Sequence, residues 1–542
     1  MKRLLTIFLL IPATIHFSQN LDSLYNELLR MKGKAATVKI PSAAGAGKTV
    51  KCSFGLVNQV KINYRKYSPE RQAVISSILD RPPTDTSIVS PAGKFRIHYN
   101  LSGTDKTTYD VNELAKAADS SYNFEVNILG YPPPPSDNGA GGDDRYDVYL
   151  QNLGGSYYGY TELDQQITDS TYTAFTEMDC SYTNANYYTK GIDAAKVTIA
   201  HEFHHGIQVG NYIYRDSDVF YYELTSTAME HFVYDSIHDY YNYMGDYFGY
   251  TYRSFGSNDG YDLAVWNIFL KEKFGFGILK RIWQFMPDQR ALFSINHAIV
   301  EAGSTFNVEF NSFGQWTYFT GSRTIPGKYF KNAADYPLIA PLLNLSFTPP
   351  SMSVDITSEA VSNIFLFFND NSNGNSNLVV PVISNCDING GLSSAPRTTQ
   401  ITFQLSTQSF SGGRSIISRY YGTQLSSVFT ESDIFNNIPV NNGNIVSAEI
   451  DYVFPQPFRY SVNRIINFPA TGTGSGYGEI FIYDISMHQV FNGLKQILGG
   501  DKIVMQWDGL DGTGKRLGTG VYIYVTKCGD NIKKGKFVVY ND

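Results

Sequence analysis

The chain has 542 residues and a formal net charge of -7, and a mass of 60.6 kDa is more than one hydrophobic core supports, so several domains are expected. Only 17% of residues are charged and the one basic cluster, KKGK at 533–536, is short, which excludes a nucleic-acid surface built on positive charge. With 40 Tyr, 35 Phe and 47 Gly, the composition points instead to the short strands, turns and aromatic surfaces of an extracellular, β-rich protein.

The N-terminus reads MKRLLTIFLLIPATIHFSQN, with Lys2 and Arg3 ahead of an apolar run from Leu4 to Ile11. That run is far short of the ~20 residues that span a bilayer, so residues 1–18 read as a signal peptide and no membrane span is expected. Export to the outside or the cell surface would expose Cys52, Cys180, Cys386 and Cys528 to oxidising conditions, although four such scattered cysteines form no dense framework and need not pair. Residues 19–90 read as a leader or prosegment with amphipathic helices at LDSLYNELLRMK and SPERQAVISSIL. Within it, Cys52 reads first as a structural or free cysteine, and second as an inhibitory thiolate that caps a metal.

From residue 91 the chain continues with an alternating strand, GKFRIHYNL, and a helical stretch, VNELAKAADSSYNFEV. The run GYPPPPSDNGAGGDDR then makes a rigid turn and a loop before the strand YDVYLQ. Asp137, Asp143, Asp144 and Asp147 could bind calcium, but their spacing fits no EF-hand and a solvated loop is the preferred reading. STYTAFTEM has strong β propensity and is expected to be the edge strand along which an extended peptide lies by main-chain pairing.

The stretch DAAKVTIAHEFHHGIQVG, residues 193–210, reads as a helix in a chain with only 9 His. Residues four apart sit one turn above each other, so the imidazoles of His201 and His205 point the same way and can bind one ion together. Glu202 lies beside them around the helix, offset so that it meets a water rather than the ion. This is the HExxH arrangement of zinc peptidases. Histidines on a surface or satisfied in a core are the bland alternative, opposed by the cost of burying such groups without partners. A catalytic zinc also needs a third ligand and an open vertex. In the metzincin pattern HExxHxxGxxH a glycine and then a further histidine follow, but Gln208 and Asn211 stand at those positions, so a carboxylate must serve. In DSDVFYYELTSTAMEHFVYD, residues 216–235, Glu223, Thr227 and Glu230 share one face of a second helix. Glu223 is the expected third ligand, and Glu230 is placed to accept a hydrogen bond from a ligating imidazole. Solvated surface positions are the alternative for both.

Beyond about residue 340 the helical pattern ceases. Residues 341–450 carry short alternating runs such as SNIFLFFND and TQITFQLST, and residues 451–542 carry GEIFIYDI with WDG and GTG turns between strands; each reads as a β-sandwich. The expected fold class is thus α+β, with a catalytic domain at 91–340 ahead of two β-sandwiches.

HExxH followed by a glutamate on the next helix resembles the gluzincins, the group of thermolysin and aminopeptidase N, and ELTSTAME is similar to the aminopeptidase pattern NEGFAxxxE, with Tyr222 where that pattern has Asn. FRIHYNLSGTDKT, NILGYPPPP, DRYDVYLQNL, HEFHHGIQ, ELTSTAMEHFVYD and WTYFTGSR together resemble a family of secreted bacterial metalloproteases over roughly residues 90–335. The resemblance implies a zincin-like domain and Zn²⁺. It also makes Tyr261, at the head of GYDLAVWNIFLKEKFG, the candidate for oxyanion stabilisation, against the background of many other tyrosines. The aminopeptidase motif GxMEN is lacking, so an endopeptidase acting on protein or peptide is preferred to an enzyme that captures a substrate amine. The terminal segment, through IYD, WDG and GVYIY, resembles the Ig-like domain of flagellar hook-assembly proteins and the sorting domains of type IX secretion cargo, implying contact with secretion machinery. The rival expectation is a secreted adhesin in which 341–542 binds a surface and the zincin part is an inert scaffold.

Overall fold

The computed structural model describes residues 14–32, 51–347 and, within 351–542, all but 371–376, 393–394, 407–416, 420–423, 431–440, 443–447, 450, 462, 464, 472–476 and 499–501. Residues 1–13, most of the expected signal peptide, lie outside that set. The protein is mixed α+β, and its described residues form two compact units: residues 1–243 with 259–268, and residues 244–258 with 269–542.

The first unit is a five-stranded sheet packed against helices. Helices α1 (Thr14–Met31), α2 (Phe54–Ile62) and α3 (Pro69–Leu79) precede the strands β1 (Thr86–Val89) and β2 (Phe95–Tyr99). Helix α4 (Val111–Tyr122), capped by the Asp110 side chain, runs on into one π-helical turn before β3 (Tyr146–Gln151), β4 (Gly159–Gln166) and β5 (Tyr172–Asp179). The strand order is β1-β2-β3-β5-β4, with β2, β3 and β5 parallel and β1 and β4 antiparallel at the edges. The long helices α5 (Gly191–Asn211) and α6 (Val219–Val233) follow. Both are buried nearly all round, α5 from Ala194 to Val209 apart from Lys196 and α6 from Phe220 to His231, which is why neither shows the single apolar stripe of a surface helix.

One expectation is corrected here. STYTAFTEM is not the edge strand: β5 is an inner strand, and its neighbour β4 forms the free edge. Residues 173–179 of β5 are all buried, as expected of a strand covered on both faces, whereas β4 ends in exposed residues. The described part of 19–90, expected as a leader or prosegment, packs on the domain that follows. Strand β1 pairs along β2, and the Asn58 amide spans the backbone of β4, donating to Thr161 O (2.9 Å) and accepting from Leu163 N (2.9 Å).

The acidic loop neutralises itself with the protein's own cations. The Arg81 guanidinium sits among Asp137 (2.6 Å), Asp164 (2.8 Å) and Asp147, while Asp143 is bound by Arg96 and Arg145. A guanidinium presents five donors in a fixed fork, and this one pairs with three carboxylates at once.

The second unit contains helices α7 (Gly245–Gly249), α9 (Gly277–Phe285), α10 (Ala291–Glu301) and α11 (Phe306–Tyr318); α8 (Ala264–Phe274) runs from the first unit into it. Strands β6 (Leu343–Ser346), β7 (Ser351–Glu359), β8 (Ser362–Asp370), β9 (Asn377–Asn385), β10 (Thr398–Ser406), β11 (Ile417–Arg419), β12 (Gln424–Thr430) and β13 (Asn441–Asn442) form two sheets, ordered β11-β10-β7 and β13-β12-β9-β8-β6. Ile356, Ile401 and Phe403 of one sheet pack with Ile364, Leu366, Phe368, Val379 and Ile383 of the other. On β9, Asn311 of α11 donates to Val382 O (3.2 Å) and Ser384 Oγ (2.9 Å). The helices after 269 thus join the β part, so the division falls near 243–269 rather than at the expected 340. Finally, β14 (Ala448–Glu449), β15 (Phe458–Arg459), β16 (Ile466–Pro469), β17 (Tyr477–Tyr483), β18 (Gln489–Leu498), β19 (Lys502–Trp507), β20 (Gly520–Cys528) and β21 (Asn531–Tyr540) form a further sheet ordered β14-β19-β18-β17-β20-β21-β15, with β16 on β19. It closes on Phe468, Met505, Trp507, Tyr524 and Phe537. All four cysteines are buried and unpaired with one another.

Candidate metal centre

Helix α5 stacks His201 one turn below His205, and α6 lays Glu223 across them. His201 Nε2 lies 3.1 Å from Glu223 Oε2 and 3.2 Å from His205 Nε2, and His205 Nε2 lies 3.4 Å from Glu223 Oε2. All three residues are buried. Ligand atoms about 2.0–2.1 Å from a tetrahedral zinc are separated by roughly 3.3 Å, so the donor triangle has the edges that such an ion requires.

Each imidazole is turned toward this point by a partner on its other nitrogen. His201 Nδ1 donates to Glu230 Oε1 (2.8 Å), one helical face along from Glu223. His205 Nδ1 donates to Gln208 Oε1 (2.8 Å), and the Gln208 amide donates onward to Thr225 Oγ1 (2.7 Å) on α6. Both rings therefore keep Nε2 as the free, ligating nitrogen, and ligands held in this way gain basicity and orientation. Gln208 lies three residues after His205, on the helix face it shares with His201 and His205, and its side chain positions the His205 ring.

The charges favour a cation. Burial opposes a protonated His201, yet hydrogen bonds to Glu223 and Glu230 and the charge of Glu202 raise it to about 10. Burial alone would raise Glu223, but the imidazoles of His205 and His201 bring it down to about 2. The carboxylates thus hold positive charge between the two rings, as a proton or as a metal ion.

Glu202 projects beside the triangle rather than into it. Its carboxylate accepts from the Thr161 hydroxyl of β4 (2.9 Å), and burial raises its pKa against the pull of His201 and His205. His204 faces away from the ligands, donating through Nδ1 to Glu125 (2.7 Å) under the edge of the Tyr131 ring. Tyr261 stands at the other side, with its ring centroid 6.2 Å from that of His201. Gly260 allows this approach: it has φ +103, and a Cβ there would meet Phe220 O at 2.1 Å, so no larger residue could sit against α6. The Tyr261 hydroxyl donates to Cys52 O (2.7 Å) and accepts from Cys52 N (3.2 Å).

Cys52, whose second reading from sequence is a thiolate that caps a metal, lies with these residues. Its Sγ and the ligand atoms of His201, His205 and Glu223 all lie within 4.8 Å of one another. Burial and the charges of Glu202 and Glu223 push its thiol well above the ordinary range, so without a metal ion it is a neutral S–H. Next to it Lys51, fully enclosed, bonds Asp239 and Glu230 Oε2 (3.0 Å) and lies over the Tyr158 ring at 4.2 Å. Burial works against its charge, and Asp239 and Glu230 more than restore it.

Among the described residues no helix is long and apolar enough to cross a membrane. No family model matches the chain, and no curated protein is detectably similar to it. Among solved structures, latent PorU of Porphyromonas gingivalis is similar at 16% identity and a TM-score of 0.14, over 35% of this chain and 20% of that one. PorZ, a surface component of the type IX secretion system of the same organism, is similar at 10% identity and 0.15, over 34% and 37%. The BSP domain of a biofilm-associated protein is similar at 7% and 0.12, over 36% and 53%. The chain spans about a fifth to a half of those structures.

Proposed function

We propose that the chain is a secreted zinc-dependent endopeptidase whose zincin-like catalytic domain is the first compact unit. The observation that carries this reading is the triangle of His201 Nε2, His205 Nε2 and Glu223 Oε2 at 3.1–3.4 Å, with Glu230 and Gln208 fixing both rings. A bound Zn²⁺ would polarise a peptide carbonyl and lower the pKa of water from 15.7 to about 7. Glu202 takes the proton of the attacking water as the new C–O bond forms, and returns it to the departing amine as the C–N bond breaks. Thr161 holds that carboxylate in place. The Tyr261 hydroxyl, already donating to a backbone carbonyl in this cleft, stabilises the developing oxyanion. The edge of β4 opposite β5, lined here by Lys51 and Cys52, would offer main-chain pairing to an extended substrate once they leave it.

The test is digestion of a peptide library by the Cys52→Ser chain, before and after chelation and after zinc is restored. Cleavage should vanish with the chelator and return with zinc. Retained zinc with no cleavage of any peptide would refute the peptidase reading and favour a second one, in which Cys52 completes a closed, structural zinc site in a surface-binding protein.

The amino-terminal sequence and the resemblance of residues 451–542 to sorting domains support export to the cell surface or beyond. Deleting 451–542 should leave the protein inside the cell envelope of its source bacterium, read by fractionation. Equal release of both forms would remove the sorting role.

A further inference from the structure

We propose that Cys52 is the fourth ligand of this metal and that Lys51–Phe54 closes the site as a built-in substrate mimic, so that the full chain is latent. The proposal rests on the zinc reading above and adds what occupies the vertex that catalysis needs open.

Four independent contacts of the segment coincide with the needs of a substrate. First, the Cys52 thiol joins the three ligand atoms, and metal binding would release its proton to solvent and leave an S–metal bond. Second, the backbone lies along the free edge of β4: Tyr158 N donates to Lys51 O (3.0 Å), and Cys52 pairs with Gly159 in a parallel bridge. That is the edge along which a peptide would add a strand. Third, the Cys52 carbonyl accepts the Tyr261 hydroxyl, the donor assigned above to a scissile carbonyl. Fourth, the Phe54 ring stacks on His205 with centroids 4.1 Å apart and planes 5° apart, bordered by Tyr214 and Tyr222. It fills the aromatic recess beside the ligand as a substrate side chain would.

The segment is also anchored at both ends. Lys51 reaches the buried carboxylates of Glu230 and Asp239. Downstream, α2 is clamped to β4 through Asn58 and through Lys61, which bonds Glu162 at 2.6 Å. The metal–sulfur bond would add to these anchors, so that losing Cys52 as a ligand loosens the segment over the site and proteolytic removal frees it altogether.

X-ray absorption at the zinc edge, on the zinc-loaded full chain, tests the ligand directly. The expected result is one sulfur at about 2.3 Å beside nitrogen and oxygen, lost in both Cys52→Ser and Cys52→Ala while zinc is retained. Hydrolysis of the peptide library should then rise in both variants by about tenfold or more, the factor that about 1.4 kcal/mol of competing ligation imposes. Zinc bound by nitrogen and oxygen alone in the wild type would overturn the proposal, as would sulfur that persists in both variants or a sulfur loss with no rise in hydrolysis over an active wild type. If sulfur is lost as expected but no form cleaves any peptide, the endopeptidase reading fails and latency fails with it, leaving a structural zinc.

Discussion

Glu202→Gln, made in the Cys52→Ser background so that the thiol does not compete for the open vertex, is expected to retain zinc and to lose peptide hydrolysis by about 10²- to 10⁴-fold, the range that a positioned general base supplies. The amide keeps the shape of the side chain and a partner for the Thr161 hydroxyl but has no affinity for the proton of water. Because Glu202 stands outside the donor triangle, metal content should not change. His205→Ala, by contrast, removes a ligand and should lose zinc and turnover together. Metal analysis and hydrolysis on the same samples separate the two. Equal activity in the glutamine variant and its parent would take Glu202 out of its role, and loss of zinc in the glutamine variant would make it a ligand.

Asp239→Ala is expected to cost the full chain about 3–5 kcal/mol, the range for removing one partner of a buried ion pair. Asp239 accepts from Lys51, from Tyr158 OH (3.1 Å) and from Thr189, and the whole cluster is enclosed. Its loss leaves the Lys51 ammonium to Glu230 alone, and Glu230 already serves His201. Urea unfolding of zinc-loaded samples measures the effect. The paired change Lys51→Met with Asp239→Leu should recover part of it, since apolar groups need no counter-charge. A change within roughly 0.5 kcal/mol, the usual range for surface substitutions, would show that the lysine is not held as described.

The parts of the site that sequence made legible are those set by helical spacing. His201 and His205 lie four apart, and Glu223 and Glu230 seven apart, so each pair must share a face once its helix forms, and the structure brings all four side chains to one point. Gln208 was legible by the same rule as a neighbour of both imidazoles on the helix face. Tyr261 was reached by resemblance, and its hydroxyl lies on the Cys52 backbone. Cys52 was legible only as one of two readings, and Lys51 not at all, because no local pattern links a residue to partners as far as 209 positions away. Long-range pairing also misled the reading of the sheet. β propensity and burial mark β5 as a strand, but they carry no information on which neighbour lies at the edge. In the same way, Arg81 answers aspartates 56 to 83 residues later, so the loop looked like a bare acidic run. The helices of 277–318 carry no mark of which core they serve, and the packing of α11 on β9 moved the expected boundary.

Anomalous diffraction at the zinc edge from crystals of the zinc-loaded chain tests the central claim most directly. The account predicts one strong peak about 2.0–2.2 Å from His201 Nε2, His205 Nε2 and a Glu223 carboxylate oxygen together. A peak bound by other residues, or one that leaves Glu223 beyond coordinating distance, would contradict it.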